Sequence, residues 1–384
     1  QLFLAETLDR IAPLFVTDVM RTSRAILGDS ASIEAAIDRG EIRAGEQTEA
    51  LCELELELKG GTPQRLFDLA RRLDEHVPVR LGVRSKSERG YALAAGKSGR
   101  AVKAEPIALN RDGDVHEAFE TIARACIRQF RLNEALLLDK GEPEPLHQAR
   151  VGLRRLRSAF SLFKPLMAGD ERAQLLRAEL RALAGALGEV RNLDVLIPKF
   201  DGDTHDRLAA ARDHCFARAR MELTSARTRL LMLDLAEWLT LGAWRDPSTE
   251  ATSPEGGLAA FADTLLETSL KRLKRRGKGL AGLNDDKRHR ARIEAKKLRY
   301  ATEFFASLYT GAKARRRHQT FLEKLEELQD YLGELNDFVI GPQILAKLSI
   351  PAKLAKAGKD ERERLLGRAE TAFDALIDTK KFWG

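Results

Sequence analysis

The basic segment HQARVGLRRLR at residues 147–157 recurs as HRARIEAKKLR at residues 289–299. A second motif follows each copy, as LGEVRNLDV at 187–195 and LGELNDFV at 332–339. The histidine of the basic segment precedes the glycine of the second motif by 41 residues in the first copy and by 44 in the second. Because residue types, order and spacing all recur, the sequence predicts two copies of a helical hairpin related by pseudo-twofold symmetry.

The charged residues of each basic segment follow the period of a helix. The histidine and three cations occupy positions i, i+3, i+7 and i+10, which form a stripe about three turns long. The first stripe has no acidic residue between His147 and Ser161, so i,i+4 pairs do not balance its charge. A solvated helix face normally alternates the sign of its charges. The repeated stripes therefore favour a binding site for a polyanion.

The two histidines lead their stripes, and we expect each in the first turn of its helix. Backbone N–H groups are unpaired there, and the helix dipole favours anions. The alternative is that each histidine is only a polar cap. Its recurrence in both copies, each time before an arginine stripe, favours a place in the site.

These doubled motifs resemble the CHAD domain, an all-helical family named for its conserved histidines, over about residues 114–384. The resemblance implies two bundle-like halves around a basic groove or pore that binds inorganic polyphosphate. Carried over to this sequence, it implies these polyphosphate contacts: His147, Arg150, Arg154, Arg155, Arg157, His289, Arg292, Lys296, Lys297 and Arg299. It also implies helix caps or orienting groups: Asn192 and Asp194, or Asn336 and Asp337.

The strand signals lie in residues 1–93. The segment CELELELK at 52–59 alternates strictly and ends at two glycines, which predicts a strand with glutamates on one face and leucines on the other. Residues 33–37 and 41–44 predict strands joined by a turn at 38–40, and residues 63–75 predict an amphipathic helix. The polar strand face has two interpretations: ordinary exposed surface, or a charged barrel lumen that holds Mg²⁺ or Mn²⁺.

Together with SKSERGY at 85–91, these segments resemble the second half of the CYTH domain, the triphosphate tunnel fold. That family is an antiparallel β-barrel that hydrolyses triphosphates with a divalent metal, here Mg²⁺ or Mn²⁺. The resemblance implies metal ligands at Asp38, Glu53 and Glu55, with Glu57 as the alternative in a shifted register, and triphosphate contacts at Lys86 and Arg89. The family's opening EXEXK strand is not in this sequence, which begins with Gln1 rather than Met. We therefore expect the chain alone to be inactive and the intact protein to be a metal-dependent inorganic triphosphatase.

The predicted fold class is α+β overall. A partial antiparallel β-barrel at 1–93 and a linker at 94–113 precede an all-α helical-bundle domain with an internal two-fold repeat at 114–384. The two repeats are expected at about 114–240 and 257–384.

The net charge of +7 is unevenly spread along the chain. Residues 1–100 carry 15 Lys and Arg against 16 Asp and Glu, whereas residues 101–384 carry 50 against 42. An anionic partner should therefore meet the second part. Three scattered cysteines indicate a reducing compartment, and no segment approaches the roughly 20 apolar residues that span a bilayer. We expect a cytoplasmic protein associated with polyphosphate granules, with polyphosphate and triphosphate as partners.

Two other classes explain part of the sequence. A nucleic-acid-binding module would use the same charge, but the stripes offer few aromatic residues for stacking on bases, with Tyr300 and Phe160 the nearest. A helical scaffold for a protein partner would leave the histidine-led stripes without a role. The sequence carries no signal for an oligomeric state.

Overall fold

The structure is a computed structural model that describes residues 12–28, 31–245, 257–351 and 357–384. The chain forms two compact units. Within the described residues, the first unit contains everything up to Val102 together with Ser225–Leu241, and the second contains Lys103–Thr224 and Gly242–Gly384. The segment expected as the first helical repeat, 114–240, therefore includes residues that pack in the first unit.

The described residues form three β-strands and eleven α-helices. The strands are β1 Val16–Gly28, β2 Ala31–Ala44 and β3 Gln47–Gly61. The helices are α1 Gln64–His76, α2 Lys86–Ala94, α3 Val115–Lys140, α4 Pro143–Leu162, α5 Glu171–Leu196, α6 Gly202–Thr224, α7 Ala226–Leu241, α8 Gly257–Gly277, α9 Asp285–Phe304, α10 Ala312–Lys347 and α11 Ala357–Asp378.

The sheet of the first unit is antiparallel, with the order β1-β2-β3. It is open: within the described residues the strands do not close into the expected barrel. One end of one sheet face is apolar, because Ile42 and Leu51 are buried there and pack with Leu93 of α2. The other end of the same face carries the charged residues described below.

The turn predicted at 38–40 is wrong, since β2 runs through it without a break. Gly40 is needed there for a different reason: a Cβ atom at this position would lie 2.0 Å from the carbonyl oxygen of Asp18 on β1. The actual turn lies at Gly45, whose φ of +57° suits glycine. Strand β1 was not predicted.

Helix α7 packs in the first unit against α1. The Arg71 guanidinium lies 2.5 Å from a carboxylate oxygen of Asp234 and also pairs with the buried Glu237. The Arg229 guanidinium pairs with both carboxylate oxygens of Asp74, at 2.6 and 3.0 Å. These ion pairs join segments that are more than 150 residues apart in the sequence.

The second unit is all helical in its described residues, as predicted. The basic segments lie on α4 and α9, and the second motifs lie on α5 and α10. Helix α4 buries Leu146, Leu153 and Leu156 and approaches α3 closely at Gly152, where a Cβ atom would lie 2.8 Å from the backbone nitrogen of Phe130. No helix in the described parts of the chain is long and apolar enough to cross a membrane.

Candidate anion-binding site

Two helices supply the centre of the candidate site, since α4 and α9 pack against each other in the second unit. Arg150 and Arg154 lie on α4, and Arg292 and Lys296 lie on α9. We call these four side chains the central cluster. Among the described residues, no carboxylate comes within 4.0 Å of any of their charged nitrogens. The cluster is therefore a group of basic side chains without acidic partners.

Burial and mutual repulsion lower the pKa values within the cluster. Burial and the charges of Arg154 and Arg292 lower the pKa of Lys296 to about 6. Burial and repulsion from Arg154 and Arg191 lower the pKa of Arg150 to about 10. Burial and Arg154 also lower the pKa of Arg292. Half-buried cations that repel one another favour an anion that neutralises them.

A glycine of the second motif lies beside an arginine of the basic segment in each copy, and the approach is close only in the first. The Arg150 guanidinium donates to the Ala184 carbonyl at 3.3 Å, and its Nη1 lies 2.8 Å from where a Cβ atom would stand at Gly188. In the second copy, Arg292 Nη2 lies 4.0 Å from the corresponding position at Gly333.

Two other members of the cluster, Arg154 and Arg292, have different surroundings. Arg154 Nε donates to the hydroxyl of Tyr300, and its guanidinium lies 5.7 Å from the centre of that ring. The Nε of Arg292 is buried and has no hydrogen-bond partner among the described residues. A buried N–H of a cation without an acceptor is costly, and a ligand oxygen would remove that cost.

The histidines lie one turn later than predicted. Helix α4 begins at Pro143 and α9 at Asp285, so His147 and His289 are each the fifth helical residue. Their backbone N–H groups are therefore not the unpaired ones of a helix start. Any role of these residues in anion binding belongs to their side chains.

The two histidines have different neighbours. Burial and the charge of Arg191 lower the pKa of His147. His289 Nδ1 lies 3.1 Å from Oδ1 of Asn336, so Asn336 orients that ring. The other polar residues expected as caps or orienters lie inside α5 and α10 and cap neither helix: Asn192, Asp194 and Asp337.

One basic residue of the first segment, Arg155, lies off the stripe and is turned away from the cluster. Arg155 is only 4% exposed. Its guanidinium donates to Gln129 at 3.4 Å and lies 5.3 Å from the centre of the Phe304 ring. It packs in the helical core and has no access to a ligand.

Two of the cations expected as contacts in the second basic segment pair with acidic neighbours. Lys297 lies 3.7 Å from Glu294 on its own helix. Arg299 pairs with Glu303 at 2.8 Å and with Glu326 at 2.9 Å. Burial lowers the pKa of Arg299, but these two glutamates outweigh burial and raise it. Arg157, the counterpart of Arg299 in the first stripe, has no acidic partner among the described residues.

Sequence reasoning did not assign a role to several cations near the site. Arg191 belongs to the second motif of the first copy and faces His147 across the α4–α5 contact. The alignment of the two copies of the second motif could have identified Arg191, because it occupies the position of Asn336, which was expected as an orienting group. Two further arginines of α5 lie beside Arg157: Arg177 and Arg181.

The carboxylates predicted as metal ligands meet on the charged end of the sheet in the first unit. Lys86 Nζ lies 2.7 Å from Asp38, 3.1 Å from Glu53 and 2.5 Å from Glu55. Arg21 of β1, which the sequence did not single out, pairs with Asp38 and Glu55 at 2.6 Å. Hydrogen bonds from Arg21 and Lys86 hold the pKa of Asp38 well below its usual range.

The arrangement does not fit a metal ion as it stands. No group of three or more His, Cys, Asp or Glu side chains in the described residues is placed to hold one. The Lys86 ammonium lies between the carboxylates where a cation would bind. Glu57 points elsewhere and pairs with Lys59 at 2.8 Å. Arg89, expected to contact triphosphate, pairs with two carboxylates.

The sequence model of the CHAD domain matches residues 121–346. The chain belongs to the CHAD family. The crystal structure of the CHAD domain from the plant Ricinus communis is similar, with a TM-score of 0.61 and 28% identity. That likeness covers 74% of this chain and 99% of the plant domain. The CHAD match contains both basic segments, and hence the central cluster.

A second relative has a name that states an activity. The inorganic triphosphatase of Haemophilus influenzae is 38% identical over 85 residues, which is 22% of this chain and 24% of that protein. The chain therefore matches about a quarter of that relative's length. The match is compatible with a CYTH-like region in the chain.

Proposed function

We propose that the CHAD unit binds inorganic polyphosphate at the central cluster. The observation that carries the proposal is the meeting of four basic side chains, Arg150, Arg154, Arg292 and Lys296, without a carboxylate partner in the described structure. Arginine grips phosphate oxygens through a planar fork, and lysine attracts them as a point charge. A polyphosphate chain would place successive negative charges along the two helices and so supply the counter-charges that the cluster lacks.

The same geometry favours a bare phosphate chain over nucleic acid. Tyr300, the aromatic residue at the cluster, is only 4% exposed, and its hydroxyl accepts from Arg154. Phe160, the other aromatic near the stripes, is fully buried. Neither ring presents a face to a base, so single-stranded DNA would gain no stacking energy here.

A titration of the full chain with long-chain polyphosphate tests the proposal. Changing the four cluster residues together to Ala should lower the affinity at least a hundredfold, since charge-assisted contacts to phosphate are each worth roughly 1 kcal/mol or more. The matched control removes four exposed cations that lie elsewhere on the second unit: Arg220, Arg272, Arg316 and Lys347. Equal loss in the control would show that net charge, not the cluster, binds polyphosphate. Retained affinity in the cluster variant would refute the proposal.

A second candidate function concerns the sheet of the first unit. We propose that the intact protein acts on inorganic triphosphate there, with Lys86 and Arg89 as phosphate contacts. The support is the similarity to an inorganic triphosphatase and the charged end of the sheet. An incoming triphosphate would compete with the carboxylates for these two cations.

The test is phosphate release from triphosphate by the intact protein, with Mg²⁺, with Mn²⁺ and with neither. Lys86→Ala should abolish release and leave polyphosphate binding unchanged. Lys59→Ala is the control, because Lys59 lies on the same sheet but pairs with Glu34 and Glu57 instead. Unchanged release in the Lys86 variant would exclude this site.

A further inference from the structure

The contact between Arg150 and Gly188 fixes how α4 and α5 face each other. The two helices run in opposite directions, because residues further along α4 meet earlier residues of α5. Seven residues beyond Arg150 on α4 stands Arg157, and seven residues before Gly188 on α5 stands Arg181. These two arginines therefore face each other about 10 Å along the helices from the Arg150 contact.

The second copy has the same register but the opposite charge. Seven residues beyond Arg292 stands Arg299, and seven residues before Gly333 stands Glu326. The structure joins this pair at 2.9 Å, which confirms the register. Glu303, one turn further along α9, adds a second bond to Arg299 at 2.8 Å.

The corresponding place in the first copy holds only cations. Arg157 lies beside Arg181 and also beside Arg177, one turn earlier on α5. Where the second copy has Glu303, the first has Ser161. No acidic side chain lies within 4.0 Å of the three guanidinium groups in the part of the chain that the structure describes. Burial and the charges of Arg181 and Arg177 lower the pKa of Arg157. We call these three residues the arginine triad.

We propose that the polyphosphate site is one-sided: a long chain leaves the central cluster over the arginine triad and is not held at the matching end of α9 and α10. This inference rests on the proposed polyphosphate function and adds a direction and a length dependence to it. Arg157 stands three residues beyond Arg154, so the triad begins about 4.5 Å along α4 from the last cluster residue on that helix. A short phosphate chain held by the central cluster ends before this point. A longer chain reaches the triad and gains three more phosphate contacts.

A displacement assay on the full chain tests the inference. A labelled long-chain polyphosphate is bound, and inorganic triphosphate is used to displace it, so the readout reports only the shared site. Changing Arg157, Arg177 and Arg181 to Gln should weaken long-chain binding at least about tenfold. The inhibition constant of triphosphate, corrected for the weaker label, should stay within about twofold of wild type, because its contacts are unchanged.

The second copy offers a matched control. Arg299→Gln removes a cation that already pairs with Glu303 and Glu326, so long-chain affinity should change much less than in the triad variant. Replacing these two glutamates together by Gln frees Arg299 and should strengthen long-chain binding.

The outcomes separate this inference from the proposed function. Absence of polyphosphate binding by the wild-type chain would remove both. Loss of binding in the central-cluster variant, with long-chain affinity intact in the triad variant, would overturn only the one-sided site. Equal weakening by Arg299→Gln and by the triad variant would show a symmetric site and would also overturn it. Circular dichroism of each variant checks that the half-buried or exposed substitutions leave the helices folded.

Discussion

We expect proton binding and polyanion binding to be coupled at Lys296. Its pKa of about 6 means that the side chain is mostly neutral at pH 8 in the free protein. A bound polyphosphate supplies negative charge and raises that pKa, so binding should take up about one proton at pH 8. Affinity should therefore fall as pH rises above about 6. Calorimetry in two buffers of different ionisation enthalpy measures the proton uptake.

Lys296→Arg is the control for this coupling, because an arginine stays charged over the same pH range. The variant should bind long-chain polyphosphate with little proton uptake at pH 8. Titration of phosphate end groups contributes equally to both proteins and cancels in the comparison. Equal proton uptake by variant and wild type would assign the coupling to another group.

Gly188 and Gly333 occupy matching places but differ in their contacts. A Cβ atom at Gly188 would push the Arg150 guanidinium aside at 2.8 Å, whereas at Gly333 the nearest atom is Arg292 Nη2 at 4.0 Å. Gly188→Ala should therefore weaken polyphosphate binding several-fold, and Gly333→Ala should not. Both substitutions should keep or raise the melting temperature, since Ala favours a helix over Gly by about 1 kcal/mol. Equal affinities in the two variants would show that the Arg150 position does not matter.

Helix geometry explains why one residue of the predicted site failed to join it. Successive residues turn by about 100°, so Arg155 lies about 80° from His147 on the flank opposite to Arg150 and Arg157. The predicted site contained every basic residue of the segment and therefore contained Arg155, although its angular position on the helix places it away from the stripe. Arg157 and Arg299 occupy the same angular position on their helices, and they differ only in the charges that the facing helix places beside them. Those charges depend on how the helices pack, which the sequence of the stripe alone does not predict.

At the scale of elements, the contact between α1 and α7 includes the buried ion pair of Asp74 with Arg229. Asp74 is 8% exposed, and the hydrogen bond from Arg229 lowers its pKa. Arg229→Met should destabilise the first unit by about 3 kcal/mol, because it leaves a buried carboxylate without its partner. Urea unfolding followed by tryptophan fluorescence measures the effect, since Trp238 lies buried on α7.

The effect of this substitution should depend on pH in a defined direction. A lowered folded pKa means that Asp74 contributes stability above its ordinary value of about 4 and loses it as pH falls through the folded value. The difference between wild type and Arg229→Met should shrink in acid. Adding Asp74→Asn to the variant should restore part of the stability at pH 7. The exposed Arg220→Met serves as the control and should change stability little.

The strands show what local patterns can and cannot predict. The alternation at 52–59 predicted β3 because one face of that strand is charged and the other apolar. The Asp-Arg-Gly at 38–40 has the composition of a turn, but the glycine is there to let β1 approach. That requirement comes from a neighbouring strand whose own sequence, VTDVMRTSRAILG, lacks a strict alternation. Because β1 was not predicted, Arg21 was not identified as a residue of the charged end of the sheet.

At the scale of the whole molecule, chain order and structural unit do not coincide. Ser225–Leu241 lies between helices of the second unit in the sequence but packs in the first. The repeated motifs predicted the helical fold and all four residues of the central cluster, because each helix carries its cations at a fixed period. They could not predict α7, since pairs such as Arg71 with Glu237 join distant parts of the chain and leave no periodic signal.

The charge of the second part of the chain leads to the last prediction. Binding through direct phosphate contacts releases counterions, so the logarithm of affinity should fall linearly with the logarithm of salt concentration, by about 0.7 per contact as for single strands. Removing the four cations of the central cluster should reduce that slope by about three. The control with four exposed cations removed elsewhere should keep the wild-type slope. Single-stranded DNA at equal phosphate concentration should bind more weakly at every salt concentration, because the rings of Tyr300 and Phe160 are buried and leave the bases without stacking partners. Equal or tighter DNA binding, with a slope that responds to the cluster variant, would instead make this site a nucleic-acid interface.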